Sequence, residues 1–316
     1  MSIPTVLYAG KPADRPAYAR ALTRAAADAG LEIRLVMEAE EVPRAEVDYL
    51  VFSAKGPITE FEGFARLKAI LSLWAGVDGI MKLPLPEHVP LVRMVEDGLT
   101  LGMLDYVTGH VLRHHLGIDQ HLGRGADMPW SAVFPPLAHE RTVTVLGLGE
   151  LGAICAERLA LNGFNVRGWA RSQKDVPGVQ CFAGPEGLGA ALDGAEILVL
   201  LLPDTPATRH VIDAGAIARL AKGAAIINPG RGPLIDDDAL LAALDAGQLD
   251  HATLDVFDIE PLPEDHPFRD HPNVTVTPHI ASATRPETAA DALIAQISRG
   301  ERGEPFLHIV QRTRGY

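Results

Sequence analysis

Three polar residues each follow an apolar stretch that is typical of a β-strand. Arg231 follows "AAIINPG", Glu260 follows "ATLDVFDI" and His279 follows "NVTVTP". Because ligands of open α/β sheets bind beyond the carboxyl ends of the strands, these three side chains could converge on one crevice. An arginine placed between two glycines at the end of an apolar strand predicts an anionic ligand there.

Together the three side chain types predict proton and hydride chemistry on a carboxylic acid. Arg231 can hold a carboxylate through two charge-assisted hydrogen bonds. His279 can pass a proton to a carbonyl oxygen as hydride reaches the carbon, because an imidazole titrates near neutral pH. Glu260 can accept the other ring N–H, which orients the ring and favours its charged form. The alternative to a catalytic role is that His279 is a structural histidine and that Glu260 is an ordinary turn residue before proline.

A glycine-rich turn stands between a strand pattern and a helix pattern in "TVTVLGLGELGAICAERLA". Gly147, Gly149 and Gly152 form G-x-G-x-x-G, the turn that lets a backbone approach a dinucleotide pyrophosphate at a helix N-terminus. A plain strand–helix turn is the alternative. Arg231, Glu260 and His279 follow this cofactor-type turn in the sequence, and this order favours a catalytic role for them.

The following strand ends in "WARSQK", with Arg171 and Ser172 where an NAD site usually has an acidic residue for the ribose hydroxyls. A carboxylate would repel a 2′-phosphate, whereas a guanidinium and a hydroxyl would bind it. The sequence therefore predicts a preference for NADP(H), with NAD(H) as the second cofactor. A merely solvated Arg171 is the alternative.

Two series of short apolar runs alternate with helix patterns and must position these residues. Val/Ile/Leu runs joined by helices predict parallel sheets covered on both faces, so the fold class is α/β with two doubly wound units. The first series begins with a strand at Thr5–Gly10 and a helix ended by Gly30. A long helix follows over about 99–122, and a Pro/Ala-rich loop over 126–140. A last helix begins near a capping-box spacing of Thr284 and Glu287 and ends near Gly300.

Composition narrows the class of protein. A chain of 316 residues with 47% hydrophobic content predicts two domains. A net charge of −13 argues against a nucleic-acid or acidic-membrane surface, because both need clustered Lys and Arg. Cys155 and Cys181 form no disulfide framework or metal spacing. With no signal-peptide pattern and no membrane-spanning run, we expect a cytoplasmic protein.

Two polar clusters receive plain interpretations. His110 and His114 have the i, i+4 spacing of metal ligands, but no third ligand is evident, so no metal is predicted. With His115 and His121 they instead indicate a helix surface or interface. The acidic "IDDDAL" is predicted to cap and charge a helix N-terminus.

The chain resembles the D-isomer-specific 2-hydroxyacid dehydrogenase family, and within it the glyoxylate/hydroxypyruvate reductase A branch. The matching stretches cover most of the chain: "AGVD" at 75–78, "LGLGELG", "LLLPDTPATRHVI", "INPGRGPLIDDDALLAAL", "LDVFDIEPLPEDHPF", "VTVTPHIASATRP" and the terminal "RGY". The resemblance implies a substrate domain at 1–98 and 281–316 with a flavodoxin-like sheet, and a Rossmann NAD(P)-binding domain at 99–280. It implies NADPH-dependent reduction of glyoxylate, hydroxypyruvate or a similar small 2-oxo acid to the (D/R)-2-hydroxy acid.

The resemblance also assigns residues. Arg231 binds substrate carboxylate and carbonyl, Glu260 supports His279, and His279 donates the proton. Further substrate contacts are implied at Trp74, Ala75, Gly76 and Val77, through backbone amides. Further cofactor contacts are implied at Glu150, Leu151, Leu202, Pro203, Pro206, Pro229, Gly230, Asp255 and His279. The long helix around 99–122 is implied to lie at a homodimer interface.

Trp74 departs from the family pattern, because a small residue is expected before "AGVD". Its bulk could narrow the substrate pocket. Another 2-hydroxyacid dehydrogenase, such as phosphoglycerate dehydrogenase, is an alternative, although no C-terminal regulatory extension follows "RGY". A formate dehydrogenase would pair its histidine with glutamine. From another class, a non-catalytic NAD(P)H-sensing co-repressor-like protein would not need the complete Arg/Glu/His set.

Overall fold

The computed structural model describes residues 3–121 and 134–314. Its strands are β1 Thr5–Ala9, β2 Arg34–Val36, β3 Tyr49–Phe52, β4 Ala69–Ser72, β5 Leu91–Val92, β6 Thr142–Leu146, β7 Asn165–Ala170, β8 Val179–Ala183, β9 Ile197–Leu200, β10 Ala224–Asn228, β11 Leu249–Leu254 and β12 Val274–Val276. Its helices are α1 Arg15–Asp28, α2 Asp97–His115, α3 Glu150–Leu161, α4 Gly184–Leu192, α5 Ala214–Ile217, α6 Asp237–Asp245 and α7 Pro286–Glu301.

The chain divides into two compact units. The first comprises residues 1–99 and 283–316, and the second comprises residues 100–282. The family resemblance predicts the corresponding boundaries at 98/99 and 280/281. Each unit is built on its own parallel sheet, so the predicted α/β class with two doubly wound units is confirmed.

The sheet of the first unit has the order β2-β1-β3-β4-β5, with all pairs parallel. β1, β3 and β4 are buried along their whole length, because apolar clusters cover both faces of the sheet. One cluster includes Leu22 of α1 and Leu293 of α7, and the other includes Phe61 and Phe64.

The sheet of the second unit has seven parallel strands in the order β12-β11-β10-β9-β6-β7-β8. Val107 of α2 and Leu159 of α3 pack on one face, and Leu192 of α4 and Leu240 of α6 pack on the other. The order of strands across the sheet reverses between β6 and β9. The connections that follow these two neighbouring strands therefore lead to opposite sides of the sheet. This is where doubly wound sheets form a crevice.

Several local predictions need correction. The long helix ends at His115 rather than near residue 122, because Gly117 takes a left-handed φ of 63° that closes the helix. No side chain caps α7, whose N-cap residue is Arg285; the Thr284 hydroxyl donates to Leu73 O instead. The acidic cap is confirmed, since Asp236 accepts from Ala239 N at the start of α6.

The predicted Pro/Ala-rich loop over 126–140 lies partly outside the described residues. Residues 134–137 form no regular secondary structure, and a short 3-10 helix follows at Ala138–Glu140. Within the described ranges, no helix has both the length and the apolar character that a membrane crossing needs.

Candidate active site

The three polar residues predicted to act together lie beyond the ends of adjacent parallel strands. β10 pairs with β11, and β11 pairs with β12. Arg231 follows β10, Glu260 follows β11 and His279 follows β12. Because the strands are parallel neighbours, all three loops leave the sheet at its carboxyl edge.

Glu260 and His279 are in direct contact. The ring Nδ1 of His279 lies 2.8 Å from Oε2 of Glu260, while Oε1 accepts a hydrogen bond from Phe257 N at 3.1 Å. An ionised carboxylate only accepts, so Nδ1 carries the hydrogen and the other nitrogen, Nε2, faces away from the pair. The His279 side chain is 51% exposed, so water or a ligand can reach it.

The loop that carries Arg231 is held by hydrogen bonds to Asn228 and by close packing on the neighbouring loop at Phe257. The buried Asn228 side chain accepts from Gly230 N at 3.1 Å and donates to Arg231 O at 2.8 Å. The Arg231 guanidinium donates to Gly230 O at 2.6 Å. A Cβ atom at Gly232 would lie 2.1 Å from the backbone carbon of Phe257. The arginine loop therefore packs directly on the loop that leads to Glu260.

The glycine turn joins β6 to α3 as predicted. Gly147 has a φ of 106°, and a Cβ on Gly152 would lie 1.7 Å from Gly147 O, so both positions require glycine. A Cβ on Gly149 would meet no atom within 4 Å. Open space thus lies at the N-terminus of α3, which is how a pyrophosphate site is built. Glu150 and Leu151 form the first turn of this helix.

Arg171 and Ser172 follow β7 directly, and both are exposed. Gly147 N donates to Trp169 O at 2.8 Å, so the end of β7 lies beside the glycine turn. This position suits the adenosine end of a dinucleotide. No acidic residue occupies the first three positions after β7.

The other predicted cofactor contacts lie at the same carboxyl edge. Leu202, Pro203 and Pro206 follow β9, and Pro229 and Gly230 follow β10. The Thr208 hydroxyl donates to Pro203 O at 2.6 Å, which fixes the loop after β9. Asp255 follows β11 and is fully buried.

The predicted substrate turn, Trp74–Val77, follows β4 in the first unit. The Ser72 hydroxyl donates to Trp74 O at 2.8 Å and accepts from Trp74 N at 3.0 Å. The Lys55 ammonium lies 5.9 Å from the centroid of the half-buried Trp74 ring. The bulky side chain that departs from the family pattern thus stands beside a cation.

The comparisons with known proteins agree with this geometry. Residues 109–281 match the family model for the NAD-binding domain of D-isomer specific 2-hydroxyacid dehydrogenases. The chain belongs to this family. A glyoxylate/hydroxypyruvate reductase A from Serratia proteamaculans is 42% identical over 257 residues, which are 79% of this chain and 82% of that protein.

Solved structures of family members resemble the whole chain. A D-isomer specific 2-hydroxyacid dehydrogenase from Xanthobacter autotrophicus Py2, in complex with NADPH and MES, has a TM-score of 0.90 and 40% identity. An NADPH-dependent glyoxylate/hydroxypyruvate reductase from Sinorhizobium meliloti, in complex with NADP and sulfate, has a TM-score of 0.87 and 34% identity. Both matches cover 100% of each chain. The family prediction from the sequence is confirmed.

The histidines of α2 are not a surface cluster. The His114 side chain is 4% exposed, and its Nε2 lies 3.0 Å from the Thr253 hydroxyl. Burial, helped by His251 and Arg113, lowers the pKa of His114 to about 3. Burial also lowers the pKa of His110 and His115. The surface interpretation is therefore wrong for His114, which packs on β11, and for His115, which is buried against the Phe164 ring.

No group of three His, Cys, Asp or Glu side chains suited to a metal ion occurs in residues 3–121 and 134–314. Two residues that the sequence does not single out, Tyr106 of α2 and Thr277, lie near the turn at 277–281 that carries His279. The Tyr106 hydroxyl lies 2.8 Å from the Thr277 hydroxyl. Only the helical spacing of Tyr106 with the apolar face of α2 signals that it points towards the sheet.

Proposed function

We propose that this chain reduces glyoxylate, hydroxypyruvate or a similar small 2-oxo acid to the (D/R)-2-hydroxy acid with NADPH. The observation that carries the proposal is the Glu260–His279 pair, 2.8 Å apart, beside the Arg231 loop at the edge that also holds the glycine turn. Relatives at about 40% identity that are named glyoxylate/hydroxypyruvate reductase A support this substrate class.

The residues of the chain divide the work on the substrate. Arg231 pairs with the substrate carboxylate. The family resemblance assigns further substrate contacts to the backbone amides of Ala75, Gly76 and Val77. His279 presents Nε2 to the substrate carbonyl oxygen and releases its proton to that oxygen as the oxygen gains an electron pair. Glu260 holds Nδ1 and keeps the ring oriented, so that Nε2 is directed to the carbonyl oxygen during the transfer.

NADPH, when bound, supplies the hydride for the carbonyl carbon. The open space at Gly149 and the N-terminus of α3 fit its pyrophosphate. Arg171 and Ser172 fit the 2′-phosphate. We assign the remaining contacts to Glu150, Leu151, Leu202, Pro203, Pro206, Pro229, Gly230 and Asp255. The NADPH and NADP complexes of the Xanthobacter and Sinorhizobium proteins support the preference for NADP(H) over NAD(H).

Arg231→Ala tests the substrate site. Leaving the substrate carboxylate without its partner should cost about 2–5 kcal/mol, so kcat/KM should fall by about 30- to 5,000-fold. Arg231→Lys keeps the charge but loses the two-pronged geometry, so its kcat/KM should lie between that of the wild type and that of Arg231→Ala. Steady-state kinetics with a panel of 2-oxo acids measures both. Near-normal kcat/KM in Arg231→Ala would contradict the assignment.

Arg171→Ala tests the cofactor site. Loss of one charge-assisted hydrogen bond should raise the KM for NADPH by about 10- to 150-fold and leave the KM for NADH unchanged. Arg167→Ala is the matched control, because this arginine lies on the same strand and its guanidinium donates to Asp193 O. An equal loss with NADH would remove the 2′-phosphate role. Tight NADPH binding by the wild type without turnover of any 2-oxo acid would favour a sensing protein.

A homodimer and a cytoplasmic location remain proposals from the sequence. Exposed Leu101, Leu112 and Leu116 on and beside α2 support a second copy as partner, since apolar side chains on one helix are typical of an interface. Sedimentation equilibrium of the wild type and of Leu101→Glu would measure the oligomeric state.

A further inference from the structure

The proposed proton donor sits on an unusual backbone. His279 has a φ of 55°, in the left-handed region that only a few per cent of non-glycine residues adopt, among which asparagine, aspartate and histidine are the commonest. A residue in this region costs on the order of 1 kcal/mol or more and persists only where its surroundings hold it. The hydrogen bonds around the turn at 277–281 show what holds His279 there.

Asp255 makes those hydrogen bonds from a fully buried position. Its carboxylate accepts from Ile280 N and from Ala281 N, both at 2.9 Å, and its backbone oxygen accepts from His279 N at 2.9 Å. The carboxylate also accepts from the Thr277 hydroxyl at 2.6 Å. Asp255 therefore binds residues on both sides of His279 and fixes the turn.

The direction of the next hydrogen bond follows from the first. Because Thr277 uses its hydroxyl proton on the Asp255 carboxylate, the Tyr106 hydroxyl must be the donor in its 2.8 Å contact with Thr277. Burial raises the pKa of Tyr106 to about 12, so the phenol keeps this proton near neutral pH. A directed chain thus runs from Tyr106 on α2 through Thr277 to Asp255.

We propose that Tyr106 and Thr277 are positioning residues of the reaction, which hold the Asp255 carboxylate and through it the turn that aims His279. Neither side chain is assigned a contact with substrate or cofactor. This inference rests on the proposed function of His279. Without the Thr277 hydroxyl, Asp255 loses one of its hydrogen bonds and can rotate. The Ile280 and Ala281 amides then lose a fixed acceptor, and His279 leaves its position.

The decisive comparison is between Thr277→Val and Thr277→Ser. Valine keeps the shape of threonine and removes the hydroxyl, whereas serine keeps the hydroxyl. We expect kcat to fall by about 10- to 100-fold in Thr277→Val, because small misplacements of a catalytic group cost that much. Thr277→Ser should stay within about threefold of the wild type, and Tyr106→Phe should lose about threefold to tenfold. Because Asp255 is also assigned a cofactor contact, the Kd of NADPH should rise in Thr277→Val, but by a clearly smaller factor than the fall in kcat.

Matched controls separate positioning from general packing. Thr144 is fully buried in β6 of the same sheet, and its hydroxyl donates to Ala191 O at 2.8 Å. Thr144→Val should lower the melting temperature about as much as Thr277→Val while kcat is retained. Tyr49→Phe serves as the control for Tyr106→Phe, since it removes a buried phenol that contacts Glu301 in the first unit.

Hydrogen exchange provides a readout that does not depend on turnover. The amides of Ile280 and Ala281 should exchange faster in Thr277→Val than in the wild type or in Thr144→Val, and Thr277→Ser should restore their protection. If the wild type turned over no 2-oxo acid but this exchange pattern held, the proposed function would fail and the positioning role would stand.

Three results would overturn the inference. One is equal kcat in Thr277→Val and Thr144→Val, and another is a loss in Thr277→Val that lies only in the Kd of NADPH. The third is a Thr277→Ser variant as impaired as Thr277→Val, because the hydroxyl would then not be the group that matters.

Discussion

His279 at the carboxyl edge of the seven-stranded sheet and His114 on α2 are the same side chain in opposite surroundings. The His279 side chain is 51% exposed and has a carboxylate at 2.8 Å. The His114 side chain is 4% exposed and contacts the Thr253 hydroxyl and the His251 ring. A carboxylate beside an accessible ring supports proton transfer, whereas burial beside other cationic groups keeps a ring neutral. Surroundings therefore decide which histidine can react.

The largest expected effect is the difference in kcat between variants of the two histidines. His279→Gln should lower kcat by about 10²- to 10⁴-fold, the usual contribution of a positioned proton donor, and leave the melting temperature near that of the wild type. His114→Gln should keep kcat within about twofold and lower the melting temperature by a few degrees, because it disturbs a buried hydrogen bond. Kinetics and calorimetry on both variants measure the contrast. Equal losses of kcat would contradict it.

A smaller effect is expected on stability in acid. The pKa of His114 is lowered in the folded protein, so between about pH 6.5 and pH 3 the unfolded chain binds a proton that the folded chain does not. Folding stability from this group is therefore complete above pH 6.5 and is lost as the pH falls. At about 1.4 kcal/mol per pH unit, the loss at pH 5 is on the order of 2 kcal/mol.

Urea unfolding at pH 7.5 and pH 5 measures this dependence. His114→Gln should flatten it by about that amount. His139→Gln, which removes an exposed histidine, should leave it unchanged. If His114→Gln lost as much stability between pH 7.5 and pH 5 as the wild type, His114 would not be the source of the loss in acid.

The smallest of the three effects concerns the partner of His279. Glu260→Gln keeps a hydrogen-bond acceptor for Nδ1 but removes the negative charge. The difference between a charge-assisted and a neutral hydrogen bond is about 1–1.5 kcal/mol, so kcat should fall by about tenfold. Glu264→Gln, at an exposed glutamate in the same loop, is the control. A Glu260→Gln loss as large as that of His279→Gln would show that the carboxylate does more than orient and charge the ring.

Much of the fold was predictable because its signals are local. Continuous apolar runs such as those of β9 and β10 predicted buried parallel strands, and the positions of Arg231 and His279 after strand patterns predicted their common edge. The edge strand β8 was missed, since its residues are mostly half-buried and it lacks a Val/Ile/Leu run.

The features that escaped prediction depend on contacts between distant residues. Tyr106 and Thr277 are 171 positions apart, and no spacing rule joins them. The burial of His114 follows from how α2 lies on β11, which polar residues within a helix pattern do not reveal. The turn around His279 likewise depends on a distant residue, because Ile280 N donates to the Asp255 carboxylate and Asp255 lies 24 positions before His279 in the chain.

The absent side chain at position 232 has a consequence for how the active site can evolve. Backbone touches backbone where Gly232 meets Phe257, so no rotamer change can absorb a shift between the two loops. The distance between the Arg231 loop and the loop that leads to Glu260 is therefore set by main-chain geometry. Altered specificity is therefore more easily reached by replacing side chains around Arg231 than by moving its loop.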